Sequence, residues 1–545
     1  MLPGLMMDEP LVITSFLRYT EKIFPNVEVI SVTQDAPRHR TTYGECFRRA
    51  RKLANALTRL GVKQGDRVAT MAWNDHRHFE AYYAIPCMGA VCHTINPRLF
   101  AEQLLHIVNH AEDEWILTDP LFVPLFEKMH AHFGGVKGYI VLTDEAHMPE
   151  TGLDNVYCYE SLIRGEADDF RWPDVDERSA SSLCYTSGTT GNPKGVLYSH
   201  RSNFLHTMTS LQPNIFDLSV KDCVLPVVPM FHANAWGVPY AAPIVGAKLI
   251  LPGPKLADGA TLYELMDTED VTLALGVPTV WLALLEYLDQ NNLTLDKLKR
   301  TIVGGAACPT SIMDAFRDKH DVFVHHAWGM TETSPLGTFT PNLHECPDVA
   351  ADEIDTLRAK QGRPPFGIDI KIVDPQGNDL PWNGSDFGTL KVRGPFVCSG
   401  YFKLDESDAH GEDGWFDTGD VATIDPRGFM EITDRVKDVI KSGGEWISSL
   451  ELEEIAMRCD GVAEAAAVGI NHPKWTERPL LVVVKKAGSD LDAAKLKGWF
   501  DGKMASWWMP DDVVFVDELP HTATGKLNKL KIREQFADHY AESAT

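Results

Sequence analysis

Between residues 43 and 125 two apolar periodicities take turns along the chain. In YGECFRRARKLANALTRLGV (43–62) apolar residues recur at helical spacing and stop at Gly61, which predicts a helix with a glycine cap. DRVATMAW (66–73) predicts a short strand, HFEAYYAIPCMGAVCHTI (78–95) a buried helix running into a strand, and EWILTD (114–119) another strand. Such alternation predicts layered α/β structure with parallel strands. It resumes in GAKLILPG (246–253), the helix ATLYELMDTED (260–270), VTLALGVP (271–278) and TIVGGAA (301–307).

After about residue 365 the pattern changes to alternating strands around turn signals, in GIDIKIVDPQGNDL (367–380) and GTLKVRGP (388–395). VATIDPRGFMEITD (421–434) predicts a hairpin around Asp425-Pro426-Arg427-Gly428. A stretch dense in charge and glycine follows, RVKDVIKSGGEWIS (435–448). ISSLELEEIAMRCDG (447–461) then predicts a helix with Ser448 and Glu451 as a capping box. Strands and one more helix complete a small α+β part. The fold class expected is therefore α/β: a large N-terminal domain (1–434) of layered α/β subdomains with a β-rich part, and a small C-terminal domain (435–545).

Composition narrows the function. Charged residues make up 23%, as in a soluble globular protein, and the formal charge of −26 argues against a general nucleic-acid binder while leaving room for small anionic ligands at a local cluster of lysine and arginine. The first ten residues, MLPGLMMDEP, carry two acids and no basic run, unlike a secretory signal. No apolar stretch reaches bilayer length, and the 10 cysteines include no C-x-x-C pair. A cytoplasmic protein is expected.

Five short islands carry candidate chemistry. TSGTTGNPKG (186–195) packs Thr186, Ser187, Gly188, Thr189, Thr190, Gly191 and Lys194 into one loop. Glycines let backbone N–H groups approach an anion, hydroxyls add donors and lysine adds charge, although a plain surface loop has the same composition. The lysine spacing is not that of a Walker A loop. Gly304, Gly305 and Ala306 follow an apolar strand, where open α/β sheets bind ligands. AWGMTET (327–333) offers Trp328 as a stacking plane, then Gly329, Met330 and Thr331, and Glu332 as a ligand for Mg²⁺. WFDTGD (415–420) ends in Asp420, a carboxylate able to accept ribose hydroxyls, and HTATGKLNK (521–529) places Lys526 in a small-residue loop.

TSGTTGNPKG, GMTET, WFDTGD, DRVKDVIKSGGEWIS and TATGK, in this order, resemble the motif series of the AMP-forming adenylating enzymes, which include acyl-CoA synthetases, firefly luciferase and peptide-synthetase adenylation domains. The resemblance spans about residues 40–535. PMFHANAWGVPYAAP (229–243) is similar to the stretch before the acyl pocket of fatty acyl-CoA synthetases. More narrowly the chain resembles bacterial medium-chain and 3-methylmercaptopropionate-CoA ligases, with Trp328 where most relatives have tyrosine.

The resemblance implies ATP-dependent ligation of a short or medium acyl chain to coenzyme A through an acyl adenylate, with Mg²⁺. Long-chain fatty acids, or loading of a carrier protein, are the alternatives. It implies that Thr186 to Lys194 hold the β- and γ-phosphates, Glu332 the metal and Thr331 the α-phosphate. Gly304, Gly305, Ala306 and Trp328 would frame adenine, Asp420 and Arg435 the ribose, and Lys526 would bridge the carboxylate and α-phosphate. The C-terminal domain would rotate about Lys437 and present Lys441, Gly443, Gly444 and Trp446 to coenzyme A. His232, Trp236, Val277 and Gly305 would line the acyl pocket, and a homodimer is expected by analogy.

Overall fold

A computed structural model of the chain describes every residue except 1, 3, 187–191, 406, 412, 443–444, 522–526 and 541–545. The chain divides into two compact units. One comprises most of residues 1–369 with Val392–Phe416, and the other Ile370–Lys391 with the chain from Asp417 onward.

Two sheets dominate the first unit. The smaller has seven strands, the larger eight. In the smaller, the strands Arg67–Met71, Val91–Thr94, Asp113–Thr118, Gly138–Val141 and Ala180–Tyr185 run parallel. In the larger, Cys223–Pro226, Leu273–Gly276, Arg300–Val303 and Phe323–Gly329 do the same. Parallel pairing needs crossover helices, and the predicted helix–strand alternation supplies them.

The helix Tyr43–Arg59 starts where the Thr42 hydroxyl accepts the Glu45 N–H. It ends at Gly61, which takes φ +92° as a glycine cap requires. The helix His76–Cys87 starts on the Asp75 carboxylate, which accepts the His78 N–H at 2.8 Å. These two helices and Val238–Val245 lie between the sheets. One continuous core joins Val68, Cys92 and Leu117 of the smaller sheet to Leu249, Leu273 and Ile302 of the larger through Tyr43, Phe47, Phe79, Tyr82 and Tyr83. A second core covers the other face of the larger sheet with Leu265, Trp281 and Phe316, and a third covers the smaller sheet with Ile107 and Phe126.

In the second unit, the predicted hairpin forms between Phe416–Ile424 and Met430–Arg435, and Gly428 N–H donates to Asp425 O at 2.8 Å across its turn. A mostly antiparallel sheet of Ile440–Ser442, Glu445–Ile447, Val462–His472, Thr476–Lys485 and Asp512–Val516 follows. The helix Ser449–Met457 is capped by Ser448, whose hydroxyl accepts the Glu451 N–H at 3.1 Å. This is the Ser448 half of the expected capping box. The same helix start is held by Asp434, which accepts from Ser449 N–H at 2.5 Å and Ser449 Oγ at 3.0 Å. These bonds draw the hairpin ending at Arg435 into one unit with the C-terminal elements.

Ser448→Ala is expected to destabilise the second unit by about 1 kcal/mol, the usual cost of a lost N-cap. An earlier urea midpoint for that unit, with the first unit's transition unmoved, checks it.

Candidate active site

The candidate residues of the first unit lie at the carboxyl ends of parallel strands, where open α/β sheets bind ligands. Val277 follows the strand Leu273–Gly276, Gly304 follows Arg300–Val303, and Trp328 ends Phe323–Gly329. At Gly304 a side chain has little room: a Cβ would lie 3.1 Å from the Ala327 carbonyl oxygen and 3.2 Å from the Trp236 indole. Gly305 sits at φ +78°, with Val277 Cγ1 3.3 Å from where its Cβ would be. Trp236, Gly304, Gly305 and Val277 are thus brought together. Ala306 is exposed in the same loop, and His232 is exposed just before Trp236 in the chain.

His326 anchors this loop from below. Its Nε2 accepts the Cys308 N–H at 3.1 Å, so Nδ1 carries the proton and donates to Ala359 O at 3.0 Å. Burial pushes its pKa down to about 4, which keeps the ring neutral and Nε2 an acceptor. Trp328 covers Gly337, where a Cβ would come within 2.3 Å of the indole. Gly329 is pressed against the Pro335 carbonyl, and Met330 N–H donates to that same oxygen at 3.1 Å.

A polar cluster follows. Glu332 is buried, and its Oε1 accepts the Tyr401 hydroxyl at 2.8 Å. The ammonium of Lys194 stands over the Tyr401 ring, 4.8 Å from its centre. Burial first, and then the Glu332 charge, hold the Tyr401 phenol well above its ordinary pKa, so it stays a donor. Thr331 is buried too, and its carbonyl accepts the Tyr198 hydroxyl at 2.6 Å. The neck of the 186–194 loop is closed by Thr186 N–H donating to Lys194 O at 2.9 Å and Lys194 N–H to Thr186 Oγ1 at 3.2 Å. Ser187, Gly188, Thr189, Thr190 and Gly191 lie outside the described residues.

The segment carrying Trp236 has an unusual backbone. Ala233, Asn234, Ala235, Trp236 and Gly237 all have positive φ, from +43° to +81°. The left-handed region costs alanine or tryptophan roughly 1–2 kcal/mol, so Ala233, Ala235 and Trp236 together store about 3–6 kcal/mol that neighbours must hold. At Gly237 glycine is required, because a Cβ would sit 2.8 Å from His206. The preceding strap is stapled by buried Asn74, whose amide donates to Pro226 O and Val228 O at 2.9 Å and accepts Met230 N–H at 2.7 Å.

In the second unit Asp420 and Arg435 pair directly across the hairpin, Nε to Oδ1 at 2.7 Å, with the carboxylate buried and the guanidinium half exposed. Lys441 and Trp446 face each other across a second hairpin, and Trp446 lies 5.9 Å from Phe387, ring to ring. Lys437 is exposed, its carbonyl accepting from Arg533 at 3.0 Å. Gly443, Gly444 and Lys526 lie outside the described residues. The chain on either side of Lys526 is pinned by a bridge between His521 and Leu527 and by His521 bonded to Glu464 at 2.7 Å.

The AMP-binding enzyme description matches residues 21–402, well over half the chain. This chain belongs to that family. The AMP-binding enzyme C-terminal domain matches residues 451–526. A relative from Ruegeria lacuscaerulensis named 3-methylmercaptopropionyl-CoA ligase is 50% identical, over 98% of this chain and 99% of its own. One from Ectopseudomonas oleovorans named medium-chain-fatty-acid–CoA ligase is 48% identical, over 99% of each. Among solved structures, ATP-bound MatB from Rhodopseudomonas palustris is 26% identical with a TM-score of 0.81, covering 97% of this chain and all of that one. The mixed α/β fold and the family expected from the motif order are thereby established for this AMP-binding enzyme.

Sequence reasoning missed Tyr401, Asn234 and His326. Tyr401 lies in a loop with no periodicity, 69 positions from the carboxylate it binds. Asn234 and His326 sit in mostly apolar stretches beside other histidines, and nothing in their spacing shows the remote partners they bond.

The pH dependence of His326 has a definite sign. Its folded pKa, about 4, lies below the unfolded value, so its stabilisation is complete above about pH 6.5 and is lost as pH falls toward 4. The stability gap between this protein and His326→Phe is expected to narrow by about 2 kcal/mol from pH 7.5 to 5. Denaturation of both proteins across that range checks it.

Proposed function

We propose that this AMP-binding enzyme is an ATP-dependent acyl-CoA ligase for a short- or medium-chain carboxylic acid, with 3-methylmercaptopropionate a leading candidate. The observation that carries the reading is the placement of Lys194, Tyr401 and Glu332 in one cluster, in the same unit as the close grouping of Trp236, Val277, Gly304 and Gly305. The near-complete overlap with relatives named for these acids supports it.

A carboxylate is a poor electrophile because oxide would have to leave. In the first half-reaction the substrate carboxylate oxygen attacks the α-phosphorus of ATP and pyrophosphate departs, giving an acyl adenylate. In the second, the thiol of coenzyme A attacks the acyl carbon, the acyl–oxygen bond breaks and AMP leaves. The first step gathers anions, so fixed positive charge and donors carry most of the catalysis. Lys194 and the hydroxyls and amides of the 186–195 loop are assigned to the β- and γ-phosphates, and Thr331 to the α-phosphate.

Glu332 fits a hard divalent cation: it is a buried carboxylate oriented by one phenol, beside a lysine suited to phosphate. Mg²⁺ bound there would neutralise phosphate charge. Trp328 and Gly304–Ala306 are assigned to adenine, and the Asp420–Arg435 pair to the ribose. Lys526 is assigned to the carboxylate and α-phosphate during adenylation. The C-terminal part from Arg435 is assigned a swing about Lys437 between half-reactions, after which Lys441, Gly443, Gly444 and Trp446 serve coenzyme A. His232, Trp236, Val277 and Gly305 are assigned to the acyl chain.

The test is AMP release from Mg-ATP with and without coenzyme A, over acids from acetate through hexanoate and 3-methylmercaptopropionate to palmitate. CoA-dependent release peaking between propionate and octanoate is expected. A peak at palmitate would make it a long-chain enzyme, and pyrophosphate release indifferent to CoA would point to carrier loading. Lys526→Ala is expected to slow adenylation about 10²–10³-fold while supplied acyl-AMP is still converted to the thioester. Equal loss in both half-reactions, measured by pyrophosphate and thioester formation, would remove that assignment.

A further inference from the structure

We propose that Asn234 is the positioning residue that sets acyl-chain selectivity, acting through Trp236; this rests on the acyl-pocket reading above. Asn234 is 1% exposed and points into the protein interior. Its carboxamide nitrogen donates to Asn203 Oδ1 at 3.2 Å and Ser182 Oγ at 3.4 Å, and its oxygen accepts from the Cys184 thiol at 3.9 Å. Asn203 is itself held by its amide donating to Ser181 Oγ at 2.9 Å and Ser182 Oγ at 3.2 Å. These partners come from two different elements, the strand Ala180–Tyr185 of the smaller sheet and the helix His200–Ser210. The turn they hold follows a strand of the larger sheet.

Two residues after Asn234, the Trp236 indole rests against Gly304 at the end of another strand of the larger sheet. Asn234 sits at φ +54° and ψ +36°, and Trp236 at +57° and +26°. Asparagine enters that region far more readily than alanine or tryptophan. The residue thus combines the one non-glycine side chain of this turn suited to the backbone with the bonds that stop the backbone relaxing. Apolar packing alone would let Ala233–Gly237 rotate toward the right-handed region and carry the indole off Gly304. Hydrogen bonds from two elements fix its direction, and the direction of the indole sets the space left for the acyl chain beside Gly304 and Gly305.

The experiment compares kcat/KM for octanoate and butyrate in the wild-type protein, Asn234→Ala, Trp236→Ala and the double variant. ATP KM and acrylamide quenching of tryptophan fluorescence are measured alongside. Asn234→Ala is expected to shift the octanoate-to-butyrate ratio by at least about fivefold, within the range pockets show for added methylenes. ATP KM should stay within about twofold, and quenching should rise. The double variant should match Trp236→Ala, because Asn234 acts only through the indole. An unchanged ratio, or losses that add in the double variant, would overturn the proposal. Should Asn234→Ala not fold, Asn234→Gly, which keeps the left-handed backbone available, is expected to show the same shift, and an unchanged ratio there would also overturn it. A wild-type protein with no CoA-dependent AMP release would instead remove the ligase reading.

Discussion

Three tyrosine hydroxyls govern how the first unit is put together. Tyr43, Tyr82 and Tyr83 lie on the two helices sandwiched between the sheets, and all three are essentially fully buried. Each donates to a backbone carbonyl of the chain between residues 226 and 247: Tyr82 to Met230, Tyr83 to Pro239 at 2.9 Å and Tyr43 to Ala247 at 2.7 Å. A buried hydroxyl without an acceptor is costly, so each ring registers the helix layer against the strap at one point. The aromatic bodies supply the apolar burial, and Phe47, Phe79 and Tyr240 stack or tilt among them at centroid separations of 4.8–6.2 Å.

Charge is handled in the same economical way. The chain as a whole is strongly acidic, yet it gathers small anions in the proposed reaction. Elsewhere in the first unit buried acids are matched by arginines. Arg49 bonds both Glu80 and Glu160, Arg77 bonds Glu160 and Asp35, and Tyr159 closes the set on Glu80. Around Glu332 the arrangement differs. The carboxylate is held by a neutral phenol, with the lysine set over the ring of that phenol.

Much of this architecture was legible in the chain. Helix starts and ends followed from Gly61 and Ser448, strands from short apolar runs, and the family from the order of five islands. The pairing of Asp420 with Arg435 was implied as a shared ribose role and emerges as a cross-strand ion pair. Less visible was anything depending on long-range polar contact. Tyr401, Asn74, Asn203, Asn234 and His326 sit in runs whose periodicity says only buried or turn, and their partners are remote in sequence. A left-handed turn containing alanines and tryptophan was equally hidden, because no local propensity favours it and only tertiary bonds sustain it.

Asp434 and Ser449 give the proposed swing about Lys437 a cost of its own. Asp434 lies before that pivot and Ser449 after it, so their two bonds, and the one from Ser448 Oγ to Thr433 O, span the hinge. Rotation there would break the Asp434 bonds to Ser449, while the Ser448 cap would travel with the helix Ser449–Met457. Lys529, which bonds Ser449 Oγ at 2.6 Å and Glu453 at 2.7 Å, would travel with the helix and leave the Asp434 carboxylate behind. In the proposed swing these bonds would act as a latch between residues 433–434 and 448–449. Turnover would include a reversible unfastening step whose rate depends on side chains that touch no substrate.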